Sequence, residues 1–213
     1  KRKLVIIESD DWGSIRMPSK ETLDKLQAID NQTQNNAFLR NDCLEREEDV
    51  ARLCEVLKSV VDSKGNNPII TLNFATANPD FDNIDYENGV YSYEPFYDTY
   101  KRYYGENSTL DLVKKGVKEK VFCPQLHCRE HLNVGRWMND LKNNLNDARL
   151  AFECKTMGVF GSFGVDNPFG YMDAFNSNYS STEDFEEIIS DACKIFYNAF
   201  GYKSETFVAS CFV

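Results

Sequence analysis

The feature that most constrains this chain is a set of short, β-branched apolar runs separated by segments of helical periodicity. Leu4–Glu8, Ile69–Phe74 and Val121–Leu126 are each bounded by turn residues and read as buried strands. Met157–Val165 and Thr206–Val213 add a fourth and a fifth. Between them the spacing predicts helices over Lys20–Ile29, with Ser19 as N-cap, and over Leu44–Val61, where Val50, Leu53, Leu57 and Val61 share a face. Further helices are expected after Pro95 within the aromatic segment Tyr91–Tyr104, from a Ser108 cap through about Lys118, over Asn133–Leu150, and from Thr182 to just before Gly201. Asn31–Asn36 reads as a polar loop. Strands alternating with helices imply an α/β domain with a mainly parallel sheet. The 213 residues suit one domain. Five strands do not close an ordinary (β/α) barrel of about 250 residues. The expectation is therefore an incomplete (β/α) barrel, the N-terminal part of a longer chain.

Charge and composition narrow the partners. A formal charge of -10 argues against nucleic acid or an anionic membrane as the main partner, since both select basic surfaces. No apolar run approaches the roughly 20 residues that span a bilayer. Lys1-Arg2-Lys3 leads straight into an apolar run, without a secretory leader. Seven cysteines without a C-x-x-C pair suit reduced thiols, and hence a cytoplasmic protein, better than a disulfide framework.

Chemistry concentrates at two places. The chain has only two histidines, and they lie four residues apart in His127-Cys128-Arg129-Glu130-His131, just past a predicted strand end. On a helix, positions i and i+4 share a face, so both imidazoles can reach one ion. Parallel-sheet proteins build their sites at such strand ends. The adjacent carboxylates Asp10 and Asp11, before Trp12-Gly13, end the first predicted strand. Two acids forced together repel unless a cation neutralises them. One carboxylate and two histidines leave coordination positions for water and substrate, as in a catalytic rather than a structural metal site.

This pairing of an early Ser9-Asp10-Asp11 with a later His127 to His131 resembles the polysaccharide deacetylase superfamily (carbohydrate esterase family 4, which includes chitooligosaccharide and peptidoglycan deacetylases). The resemblance implies a deacetylase-type irregular (β/α) barrel, with Asp10 as general base and Asp11, His127 and His131 as ligands of a divalent metal, most simply zinc. It implies a carbohydrate substrate and metal-assisted hydrolysis of its N-acetyl or O-acetyl groups. Two family features are missing: an arginine on the strand matched by Phe207–Phe212, and a histidine acting as general acid. An amidohydrolase acting on another C–N bond, or a silent relative that binds a glycan or a partner, therefore stays open.

Other residues carry two readings each. Trp12 and Trp137 could stack on a sugar or pack in the core. Asn73 and Asn78 could line the site or form turns. Arg129, with Glu130, could orient the ligands or touch substrate, or lie on a solvated helix face. Cys123 and Cys128 could ligate or simply be buried. The tyrosines of 91–104 could line a glycan groove or form an amphipathic helix.

Overall fold

The computed structural model describes residues 4–29, 40–145, 147–157, 170–176, 178 and 180–212. The polar loop Asn31–Asn36, most of the expected strand Met157–Val165, and Val213 lie outside the described residues. The strands are β1 (Glu8–Trp12), β2 (Ile70–Ala75), β3 (Ala77–Pro79), β4 (Tyr93–Pro95) and β5 (Phe122–Cys128). The helices are α1 (Lys20–Ile29), α2 (Glu47–Ser59), α3 (Phe96–Tyr104), α4 (Ser108–Lys118), α5 (Val134–Asn143), α6 (Ala148–Glu153) and α7 (Thr182–Phe200), with short 3₁₀ turns at Gly170–Met172 and Ser210–Phe212.

β1, β2 and β5 form a parallel sheet in that order, while β3 and β4 make a small antiparallel ribbon. Phe207 bridges Leu126 in parallel fashion and the Val208 N–H donates to Leu126 O at 3.2 Å, so the C-terminal stretch lies along the free edge of β5. This is a mixed α/β architecture with a small open sheet; no barrel closes among the described residues.

Alternation along β2 divides its two faces. Leu72 and Phe74 enter a core with Val50 and Leu57 of α2, Phe96 and Tyr100 of α3, Leu110 and Val113 of α4, and Ile195 of α7. A second cluster gathers Ile84, Leu132, Trp137, Leu141, Met157 and Tyr171. Among the described residues no helix is long and apolar enough to cross a membrane. All seven cysteines are unpaired.

Several expectations need correcting. The first strand is not Leu4–Glu8 but Glu8–Trp12, and Leu4, Val5 and Ile6 are exposed at 71, 86 and 79%. Pairing decides this: Glu8, Ser9 and Trp12 register with Thr71, Leu72 and Phe74, which draws the carboxylates into the strand itself. α2 begins at Glu47, where Glu47, Glu48 and Asp49 complement the helix N-terminus. The expected helix Asn133–Leu150 is two helices, because Asn144 and Asp147 both take left-handed backbone with φ of 52°. Asn and Asp tolerate that region better than most residues. The expected strand Thr206–Val213 is reduced to the bridge at Phe207, since Cys211 turns the chain at φ 60°.

Candidate metal centre

The site is built at the carboxyl ends of β1 and β5. The β1–β2 register slips between Ser9 and Trp12, and within this irregularity Asp11 adopts φ 67°. A regular strand would send Asp10 and Asp11 to opposite faces; the bulge re-aims one of them. Asp11 Oδ1 then lies 3.4 Å from His127 Nε2 and 3.7 Å from His131 Nε2. The two imidazole rings are 5.0 Å apart, centroid to centroid. They do not share a helix: His127 is within β5, and the chain bends before His131.

Partners fix each group. His127 Nδ1 faces the Val208 carbonyl at 2.7 Å. A carbonyl can only accept, so Nδ1 carries a proton, and Nε2 is the ring nitrogen turned toward Asp11. Asp11 Oδ2 accepts from the Arg16 guanidinium at 3.2 Å, and Arg16 also pairs with Asp42. Asp11 Oδ1 is buried without a hydrogen bond of ordinary geometry, and so is His131 Nδ1.

The electrostatics favour the ligating forms of Asp11 and His131. Loss of hydration opposes ionisation of Asp11, but the close approach of His127 and the charges of Arg16 and the imidazoles hold it well below the usual carboxylate range. Loss of hydration, reinforced by Arg16 and His127, pushes His131 down to about 4, so it is neutral near pH 7. His127 is shifted upward, because contact with Asp11 and Val208 outweighs its own desolvation. Metal binding requires both imidazoles neutral, so an ion would displace the proton that contact with Asp11 favours on His127.

The donors fit a metal ion. One carboxylate oxygen and two imidazole nitrogens lie within 4.8 Å of one another. Ligands about 2.0–2.1 Å from a tetrahedral ion sit roughly 3.3–3.4 Å apart, close to the two separations of Asp11 Oδ1 from the imidazoles. Among the described residues this triad is the group able to hold an ion, and neither Cys123 nor Cys128 belongs to it.

The remaining candidates fall elsewhere. Asp10 is exposed, and its Oδ1 accepts from Asn73 Nδ2 at 2.7 Å. Asn78 is buried and clamps the turn after β1: it accepts from Ile15 N at 3.0 Å and donates to Gly13 O at 2.9 Å and to Thr99 Oγ1 at 3.1 Å. Trp12 packs on Phe74 and Phe122, its indole N–H donating to Ser9 Oγ. Trp137 is fully buried in the second core cluster, so its ring is closed to a sugar. Arg129 is not on a solvated helix face. It is buried, gives two hydrogen bonds to the equally buried Glu130 at 2.6 and 2.7 Å, and lies 4.1 Å over the Tyr93 ring. Within the aromatic segment, Phe96 and Tyr100 pack into the main core.

Sequence reasoning missed Arg16, Asp42, Glu45 and Val208. Arg16 carried a usable signal, since it lies in the turn just beyond the acidic pair. Glu45 comes from a segment with no motif, yet its carboxylate accepts from the Gly13 N–H at 2.9 Å and from the Tyr100 hydroxyl. Gly13 itself has φ 78°, and a Cβ there would come within 2.8 Å of Ala75 O.

No protein-family model matches this chain, and neither the curated proteins nor the solved structures contain a match.

Proposed function

We propose that the protein is a metal-dependent hydrolase that removes acetyl groups from carbohydrate, with Asp11, His127 and His131 as metal ligands and Asp10 as general base. One observation carries this reading: Asp11 meets both of the chain's histidines around a buried, unsatisfied oxygen, with a second carboxylate beside it. Zinc is the ion that two imidazoles and a carboxylate suit best. When bound, it would supply Lewis acidity to the acyl carbonyl. The chain's own residues do the rest. Val208 holds the His127 tautomer, and Arg16 engages Asp11 Oδ2, leaving Oδ1 for the ion. Asp10, exposed and tethered by Asn73, takes the proton from the attacking water. The barrel is part of this proposal: β1, β2, β5 and the Phe207 bridge run in sequential order, as one arc of a (β/α) barrel would, with no switch point.

A second reading has a specific observation in its favour. Both histidines are in the triad, so no imidazole in these residues is left to protonate a leaving amine. That favours a metal-holding relative that binds glycan without turnover. Elemental analysis paired with acetate release from N-acetylated chitotetraose and from O-acetylated xylan separates the two. The expected result is one zinc per chain and acetate release that a chelator abolishes and zinc restores. Stoichiometric zinc without acetate release favours the silent relative. No stoichiometric metal ends both.

A further inference from the structure

We infer that Asn73 is a positioning residue for Asp10: its amide sets where the proposed base points. The inference rests on the hydrolase reading for its kinetic consequence, but its structural content stands apart from it.

Asn73 sits on the central strand, β2, between β1 and β5. Its neighbours Leu72 and Phe74 point into the main core, so strand alternation puts Asn73 on the opposite face. It is fully buried, and its Nδ2 donates to Asp10 Oδ1 at 2.7 Å. Its own Oδ1 is buried and has no hydrogen-bond partner among the described residues. That asymmetry is informative. An amide placed for stability alone would use both ends, as Asn78 does with Ile15, Gly13 and Thr99. At Asn73 the acceptor end bears a desolvation cost with nothing in return. Only the donor end is used, and it is used on Asp10.

The same contact fixes the orientation of the amide, since the flipped form would set oxygen against oxygen. Being buried, Asn73 is also shut off from a ligand arriving through solvent, which separates this role from substrate contact. Asp10 needs such a tether. It is exposed, it lies in the register slip of β1, and it neighbours a residue with left-handed backbone. Left alone, its side chain would sample several rotamers, whereas a base must be held within a fraction of an ångström to work at full rate.

The test uses Asn73→Leu, which keeps the branching of the side chain and removes the donor, together with Asn73→Ala, Asp10→Ala and the Asp10→Ala/Asn73→Leu pair. With zinc-loaded protein and chitotetraose, Asn73→Leu should lower kcat by about 10–100-fold while KM and zinc stoichiometry stay as in the unmodified chain. In the Asp10→Ala background the same change should cost less than about twofold, because there is no longer a base to position. A full-sized loss in that background, or an unchanged kcat in Asn73→Leu, would overturn the inference. Crystal structures give a readout independent of turnover: the Asp10 carboxylate should leave its present position in Asn73→Leu, and an unmoved carboxylate would equally overturn it. If Asn73→Leu fails to fold, Asn73→Ala carries both measurements. If the unmodified, zinc-loaded chain releases no acetate, the hydrolase reading has failed on its own and the crystallographic comparison still decides the role of Asn73.

Discussion

Glu45 is the residue whose chemistry was hardest to foresee. Loss of hydration, partly offset by the hydrogen bonds from Tyr100 and from the Gly13 N–H, pushes its carboxyl up to about 7. Asp42, pushed up to about 6 by loss of hydration against the pull of Arg16, shifts the same way. An acid with a raised folded pKa binds its proton more tightly when folded. It therefore stabilises the fold fully below the unfolded value, and that contribution is lost as pH climbs through the folded one. His131, with its lowered pKa, contributes the opposite slope over the same range, so the Glu45 contribution is read as a difference. With chelator present, so that metal binding plays no part, the urea midpoint of the unmodified chain should fall relative to that of Glu45→Gln, which keeps an acceptor but cannot titrate, between about pH 5 and pH 7. A gap that stays constant across that range would mean the proton is taken up elsewhere. No pattern in the sequence marks Glu45, because what raises its pKa is company supplied by residues distant in the chain.

At the scale of elements, the turn between β1 and α1 has its own bond from Ser14 N–H to Asp11 O and is clamped from outside by Asn78 and Glu45. Asn78→Ala removes one acceptor and two donor contacts from buried positions, a loss of about 2–4 kcal/mol. Chemical denaturation measures it, and zinc affinity should weaken as well, because the turn carries Arg16 toward Asp11. Lys120 offers the opposite case. It follows α4 at φ 60°, where a Cβ is strained, so Lys120→Gly should raise stability by about 0.5–1 kcal/mol in the same assay.

These elements also show what was legible in the sequence. α1 matches its expected bounds, with the Ser19 hydroxyl accepting from the Thr22 N–H, whereas α4 ends as expected but begins at Ser108 itself, with Asn107 rather than Ser108 at the cap. The triad was legible because histidine is scarce here and the acidic pair stands at a strand end. The break between α5 and α6 was not, because Asn144 and Asp147 are equally at home on a solvated helix face. Nor was the frame of β1: an apolar run announces a strand, but only the ladder with β2 decides which residues enter it. Asn73 and Asn78 read alike in sequence and differ only in what surrounds them.

For the whole molecule, the triad is a tie across the sheet. Asp11 belongs to β1 and the histidines to the end of β5 and beyond, with β2 between. An ion held there would bind the folded state and not the unfolded chain, so it would add RT ln(1 + [L]/Kd) to stability. Melting temperature should therefore climb with free zinc and drop on adding chelator. Asp11→Ala should melt at the same temperature with or without zinc. A zinc-dependent melt that survives in Asp11→Ala would place the ion elsewhere.

The left-handed backbone at Asp11 sets up a trade-off that a single position can measure. At φ 67° a side chain of any kind strains the backbone, and the strain is borne by the residue that the proposed chemistry cannot do without. Glycine would relax it. Asp11→Gly should therefore be more stable than Asp11→Ala by about 1 kcal/mol, though both lose the same carboxylate and neither holds zinc. A drift toward glycine here would trade ion binding for robustness, and the gap between the two variants sets an upper bound on the backbone strain borne to keep an acid, which tolerates that region better than alanine, in that place.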